Sequence, residues 1–344
     1  MNKKNKSRVI RVHAEICAEG TAVGKCEHDG PLGSCFDMHD PEDRYGMDSW
    51  EKAESEMQRT ALSIAIKKSG INVKEIGALF AGDLLNQCIG SAYGLVDFSI
   101  PYYGLYGACS TSAEGIMLAA MTVSAGYFPT AAAVTSSHNC TAEKQYRTPI
   151  EYGGQKPPTA QWTVTGAGAF LVCDPGMSTD DSQFSASITA VMPGRVKDSG
   201  ITDANNMGAA MAGAAADTIT DFFSGGRYSP DSMDMILTGD LGKVGSYMLL
   251  DKLRLAGCDI SHLHHDCGVM IYKGLGHPDV NSGGSGCGCG AVVLGGYILP
   301  KIRRGELKRV LYLATGAMMS PASLRQGLSI PAVCHAVLIE CQPK

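Results

Sequence analysis

Two kinds of apolar pattern alternate along the chain. Residues 76–84 and 233–241 are short, continuously apolar runs, each ending in Gly-Asp-Leu, and they predict buried strands. Each follows a segment whose apolar positions recur at three- and four-residue spacing. The first predicts a helix over 49–69: Trp50, Ala53, Met57, Ala61 and Ile64 share a face, Asp48 with Glu51 stands at capping-box spacing, and Gly70 closes it. The second predicts a helix over 207–223 that stops at Ser224-Gly-Gly. The order then recurs, because a helix after Cys109 leads to a strand at 131–135 and a helix after Gly286-Cys-Gly-Cys-Gly leads to a strand at 310–315. The chain is therefore an internal duplication of an α/β unit, with halves expected at 1–174 and 175–344. Continuously apolar strands alternating with helices predict mainly parallel sheets covered on both faces. Two copies imply a pseudo-twofold molecule with a site where equivalent helix N-termini meet.

Composition narrows the possibilities. With 344 residues, 44% of them hydrophobic, the chain can bury one large core or two medium ones, and its net charge of −5 argues against nucleic acid as a partner. Thirteen cysteines are scattered through apolar stretches and form no disulfide framework, which points to a reducing compartment. The basic start, Met1-Asn-Lys-Lys-Asn-Lys, is followed by no apolar core of a signal peptide, since Arg11 interrupts Val9-Ile10. The longest apolar run, residues 291–299, is shorter than the ~20 residues of a membrane helix, so membrane contact is expected to be peripheral.

Chemistry concentrates at Leu105-Tyr-Gly-Ala-Cys109-Ser-Thr-Ser, where small residues let a strand turn into a helix with Ala113, Ile116, Met117 and Ala120 inward. Cys109 thus falls at a helix N-terminus, which favours a thiolate or a nearby anion. His262-Leu-His264-His265-Asp266-Cys267 looks like a metal cluster, but strand alternation splits it between two faces, so no metal site is expected and His264 is assigned a hydrogen bond between the halves. Cys287-Gly-Cys289 reads as the loop leading a helix of the second half. The surrounding glycines lack the spacing of a dinucleotide fingerprint.

Several long motifs in fixed order carry a resemblance: Ala81-Gly-Asp83-Leu-Leu-Asn-Gln, Gly107-Ala-Cys109-Ser-Thr-Ser, Thr135-Ser-Ser-His138-Asn, Glu151-Tyr-Gly-Gly-Gln-Lys-Pro, His264-His-Asp-Cys-Gly and Gly283-Gly-Ser-Gly-Cys. Over nearly the whole chain they resemble the thiolase and ketoacyl synthase superfamily, and within it the stage V sporulation protein AD (SpoVAD) family. The resemblance implies a thiolase-like five-layered α-β-α-β-α fold of two βαβαβαββ halves. It also implies a homodimer joined through first-half sheet edges and a role with the other SpoVA proteins at the spore inner membrane. The implied ligand is dipicolinic acid (pyridine-2,6-dicarboxylate), free or as its calcium chelate, with no other cofactor.

The residues decide between receptor and enzyme. Thiolase chemistry needs a base beside the nucleophile. Gly276-His277-Pro278 is separated from Gly283 by Asp279-Val-Asn-Ser, which displaces His277, while only one of Cys334 and His335 can face inward from their strand, and His335 is the expected one. The connection 139–165 is too short for a coenzyme A loop domain. Of its cations, Lys144 and Lys156 read as surface residues and Arg147 as a bidentate carboxylate grip. Amides near Cys109 and near Cys287–Cys289 would each suit one carboxylate of a rigid diacid, with Gly284 and Ser285 of the preceding loop as further ligand-binding residues. Ser136 and His138, ending the strand at 131–135, are expected liners. Asp83 joins the site if protonated, bridged by water or sharing calcium; Asp240, its repeat mate, is expected to brace a turn. The preferred reading is a non-catalytic dicarboxylate-binding component of a transport assembly. The alternatives are a Cys109-dependent acyltransferase or condensing enzyme, and a scaffold without a pocket.

Overall fold

The computed structural model describes residues 8–146, 156–177, 182–277 and 279–344. It opens with β1 (Ile10–Val23). Arg11, His13 and Glu15 alternate there with Val12, Ala14 and Ile16, the two-residue period of a strand. Next come α1 (Trp50–Ser69), β2 (Ala78–Gly82), α2 (Ile89–Leu95), β3 (Tyr102–Gly104), α3 (Thr111–Ser124), β4 (Thr130–Ser137), α4 (Asn139–Tyr146) and β5 (Gly166–Cys173). The second half supplies β6 (Phe184–Met192), α5 (Met207–Ser224), β7 (Met235–Thr238), α6 (Gly242–Leu255), β8 (His264–Asp266), α7 (Cys287–Val293), β9 (Arg309–Ala317) and β10 (Pro331–Pro343).

The capping of α1 differs from the expected one. Ser49, not Asp48, is its N-cap, because the Ser49 hydroxyl reaches the third amide of the helix at Lys52, 3.3 Å away, while Asp48 pairs with the Lys52 ammonium. Gly70 closes the helix at φ +68°, where a side chain would be strained.

One sheet runs β3-β2-β4-β5-β1 and the other β8-β7-β9-β10-β6, so the duplication is exact in strand order. The sheets join where β1 pairs antiparallel with β6, Ile10 opposite Val191 and Glu15 opposite Ser187. They are mixed, not mainly parallel as the apolar runs predict. Around β2 and β7 the strands are parallel, but β5 runs antiparallel to β4 and β1, and β10 to β9 and β6. The cause is in the connections: between β9 and β10 the chain holds only the five-residue helix Pro321–Arg325, too short to cover a sheet, so it turns back beside itself.

Three cores separate five layers, α-β-α-β-α. The central core packs α3 and α7 between the sheets with Ala113, Ile116, Val292, Val293, Tyr312 and Val337. One outer core lies under α1, through Met57, Ala61, Leu62 and Ala65. The other lies under α5 and α6, through Met211, Ala215, Ile219 and Leu249. A hydrogen bond of 2.7 Å between the hydroxyls of Ser112 and Tyr312 ties the halves inside the central layer. Arg303, donating to Glu19 Oε1 at 2.7 Å, ties them at its rim.

The layer spacing is set by backbone contact. A Cβ added at Gly20 of β1 would lie 2.1 Å from the Ala61 carbonyl oxygen on α1. Gly20→Ala is therefore expected to cost about 1–3 kcal/mol by forcing helix and sheet apart, seen as a lower urea midpoint at unchanged slope; an unaltered midpoint would contradict this contact.

Candidate functional site

Cys109 sits where the expected helix N-termini meet. A single 3₁₀ turn, Ala108–Ser110, precedes α3, with Ala108 in the left-handed region at φ +50°. Such a conformation at a non-glycine residue persists only where packing enforces it. Here the enforcement comes from β9, since a Cβ on Gly316 would lie 2.0 Å from the Gly107 carbonyl oxygen. Cys109 packs with Leu84, Ala142 and Cys287, and Tyr146 leans on this cluster. The Tyr146 hydroxyl donates to the Leu84 carbonyl at 2.7 Å. The N-terminus of α7 arrives from the second half, where the Cys287 thiol donates to the Ser136 carbonyl at 2.8 Å and the Gly288 amide to Ser137 Oγ at 3.1 Å.

The charged neighbour of Cys109 is Asp240. Its Oδ2 accepts the Gly286 amide at 2.9 Å, and its carboxyl is the charged group that acts most strongly on the thiol. Oδ1 is buried and has no hydrogen-bond partner. Burial pushes the Asp240 carboxyl up to about 7. Burial first, then the Asp240 carboxyl and Cys287, push the Cys109 thiol well above its ordinary value. This reverses the expectation of a thiolate. The helix end and the Gly286 amide favour negative charge on sulfur, but they are outweighed by the loss of water and an adjacent acid.

The two repeat-related aspartates exchange the expected roles. Asp83 braces a turn: its Oδ1 accepts the Leu85 amide at 2.8 Å, and its Oδ2 accepts the Ser91 amide at 2.7 Å and hydroxyl at 2.6 Å. All of these donors are N–H or O–H groups of the chain, the surroundings of a turn brace. In the second half the equivalent turn is braced by Asp266 from β8, which accepts the amides of Leu241 at 2.8 Å and Gly242 at 3.0 Å. That leaves Asp240 free to face Cys109.

Ser136 belongs to a buried relay. Gln58 Nε2 donates to Ser136 Oγ at 2.7 Å and to Ser91 Oγ at 2.9 Å, Ser136 Oγ donates to Glu54 Oε1 at 2.9 Å, and Thr141 Oγ1 donates to Glu54 Oε2 at 2.6 Å. Glu54 and Asp83 thus terminate one hydrogen-bonded chain. Burial, then the charge of Asp83, push Glu54 up to about 8. The pattern offers a signal for this pair, because Glu54 and Gln58 stand four apart beside Ala53 and Met57 on the buried face of α1.

The remaining expected site residues scatter. His138 lies under Trp50, its ring centroid 5.4 Å from the indole; Nε2–H donates to the Asp43 carbonyl at 2.8 Å and Nδ1 accepts the Cys140 amide at 3.2 Å. Burial lowers its pKa, so it is neutral there. The His277 ring lies tilted against Trp162, centroids 4.6 Å apart, and lines a cavity of about 430 Å³ with Lys243, Lys273 and Asn281, apart from the Cys109 cluster. Gly284 and Ser285 pair with Trp162 and Thr163 as a two-residue ladder that delivers the Gly286 amide to Asp240. Alternation along β10 sends Cys334 into the outer core with Ala332 and Ala336, and His335 to the face of Val337 and Ile339. There His335 Nδ1 accepts the Gly194 amide at 3.1 Å, and burial lowers the ring to about 4. His264 bonds Thr238 Oγ1 at 2.9 Å within the second half, not between halves, because β8 pairs directly with β7. Arg147 lies outside the described residues. Lys144 pairs with Glu51, and Lys156 with Glu143 at 3.0 Å.

Comparison with known proteins gives a family and a fold. The family model for stage V sporulation protein AD (SpoVAD) matches residues 4–340. Stage V sporulation protein AD of Bacillus subtilis (strain 168) is 45% identical over 327 residues, covering 94% of each chain. Among solved structures, 3-oxoacyl-[acyl-carrier-protein] synthase III of Aquifex aeolicus superposes with a TM-score of 0.57 at 12% identity, over 95% of this chain and 99% of that one. OleA of Xanthomonas campestris gives 0.56 at 14% identity, over 95% and 98%. These condensing enzymes share the fold.

The Glu54 relay carries a stability consequence. A carboxyl held above its ordinary value of 4.5 contributes stability that is complete below that value and is lost as the pH rises through about 8. The melting temperature is expected to fall between about pH 5.5 and about pH 8.5, and Glu54→Gln, which mimics the protonated acid, to make that fall shallower. An equal slope in the variant would show that Glu54 does not titrate in this window.

Proposed function

The chain belongs to the stage V sporulation protein AD family, and on that premise we propose that it is the dicarboxylate-binding component of a SpoVA transport assembly. In this reading it takes dipicolinate at the Cys109 site without chemical turnover. The observation that carries the reading is the placement of the histidines: His138, His264 and His335 are held by hydrogen bonds elsewhere, so none stands as the base beside Cys109. His277 lies tilted against Trp162 and lines a cavity that Cys109 does not line. The helix end at the start of α3 supplies a setting for a permanent carboxylate. A calcium ion carried in with dipicolinate is cargo chelated by the ligand. Residence at the spore inner membrane rests, in this proposal, on the other SpoVA proteins; among the described residues no helix is long and apolar enough to cross a membrane.

Dimer formation through the first-half sheet edge is part of the same proposal. β3 is that edge, and Tyr102 and Tyr103 on it are exposed, as are Ile89, Tyr93, Val96 and Tyr106 nearby in the chain. An apolar edge strand of this kind needs cover. Sedimentation at micromolar concentration is expected to report a dimer that Tyr103→Glu converts to monomer; a monomeric wild type would sink the dimer.

Calorimetry tests the ligand. Dipicolinate is expected to bind, and Cys109→Ala to weaken binding about tenfold, the equivalent of ~1.4 kcal/mol. No multiple turnover is expected with acetyl- or acetoacetyl-coenzyme A. Steady turnover abolished by Cys109→Ala would overturn the receptor reading and establish the acyltransferase.

A further inference from the structure

Among the described residues, the elements packed around Asp240 bring it no cation. Cys109 neighbours it from the turn before α3, Asp266 from the end of β8, Cys267 from the helix Cys267–Ile271, Cys287 and Cys289 from α7, Tyr312 from β9 and Cys334 from β10. The thiols and the phenol are neutral, and Asp266 is committed to the turn amides. Asp240 itself has one oxygen satisfied by the Gly286 amide and one buried oxygen without a donor. A protonated carboxyl supplies a donor of its own, whereas an ionised one leaves a buried charge without a counterion. A second anion entering beside Cys109 would then meet like charge in a poorly solvated place.

We propose that Asp240 is the proton-holding partner of this site: the dicarboxylate is accepted with Asp240 neutral, so that binding above neutral pH draws one proton from solution. The inference rests on the Cys109 site being the dicarboxylate site. It assigns Asp240 a positioning and charge-regulating role, with no bond made or broken. The free carboxyl titrates near 7. The ligand's charge holds the proton on, so the affinity depends on pH with the slope of a single proton. The thiol shares the consequence, because an ionised Asp240 is the charged neighbour that opposes thiolate formation at Cys109.

Titration calorimetry of the full chain with dipicolinate, in buffers of different ionisation enthalpy, reads the proton directly. At about pH 8 the wild type is expected to take up close to one proton per site, and its affinity to fall by up to about tenfold for each pH unit above about 7. Asp240→Asn, checked for fold by circular dichroism, is expected to bind with no proton uptake and a flat pH profile. Wild-type affinity independent of pH, or the same slope in Asp240→Asn, would overturn the proposal. Iodoacetamide labelling of Cys109 supplies a readout without ligand. Removal of the carboxylate is expected to speed alkylation of Asp240→Asn over wild type at about pH 8, and equal rates would overturn the pairing. Should dipicolinate bind neither protein, the ligand assignment fails, and the labelling rates alone decide whether Asp240 governs the thiol.

Discussion

The structure depends on how closely its two halves approach at the ends of the central helices. Gly316 lies against the Gly107 carbonyl, and Gly288 against the Gly166 carbonyl, at separations that leave no room for a side chain. These are contacts of backbone on backbone. They bring the N-termini of α3 and α7 into one small volume, and they force the left-handed Ala108 that aims Cys109 into it. Most of the site's geometry follows: the Gly286 amide at Asp240, the Cys287 thiol on the Ser136 carbonyl, and the exclusion of water from both.

Water exclusion decides the electrostatics. Among the described residues six carboxyls, on Glu27, Glu54, Asp83, Glu114, Asp240 and Asp266, are raised by burial, and the donors to Glu54, Asp83, Asp240 and Asp266 are amides and hydroxyls. In the same fold a condensing enzyme must make its nucleophile anionic. This chain places one buried acid, Asp240, beside its cysteine, and burial disfavours the charged form of both.

Much of the fold was legible in the pattern. The repeated Gly-Asp-Leu strands mark equivalent positions, β2 and β7. Gly70 closes α1 as the pattern states, whereas Ser49 and Asn206 cap the helices where the pattern points to Asp48 for α1 and names no cap for α5. The antiparallel inner strands were harder to see, because apolar runs state burial on both faces and not direction. At the site, motif order located Cys109 and the arriving loop at Gly286. It assigned Asp83 to the site and Asp240 to a turn, where the structure holds Asp83 in the turn and sets Asp240 beside the thiol. That choice depends on a third acid, Asp266, taking over the turn in one half only, a tertiary fact with no local signature. His138 and Ser136 illustrate the same limit: their place at a strand's end is visible, but Glu54 and Asp43 that claim them come from elsewhere in the chain.

β1 has one further consequence. Apart from the two-residue strand Met38–His39 at its end, its hydrogen-bonding neighbours are β5 and β6, whose residues 166–173 and 184–192 lie far downstream. During synthesis the first strand therefore leaves the ribosome long before either partner exists, with its buried face of Ala14, Ile16, Ala18 and Ala22 unmatched. Pairings of such long sequence separation are slow to close and expose sticky intermediates. The first half cannot complete its sheet edge until the chain has entered the second, so the molecule matures as one late, concerted event and not as two halves in succession.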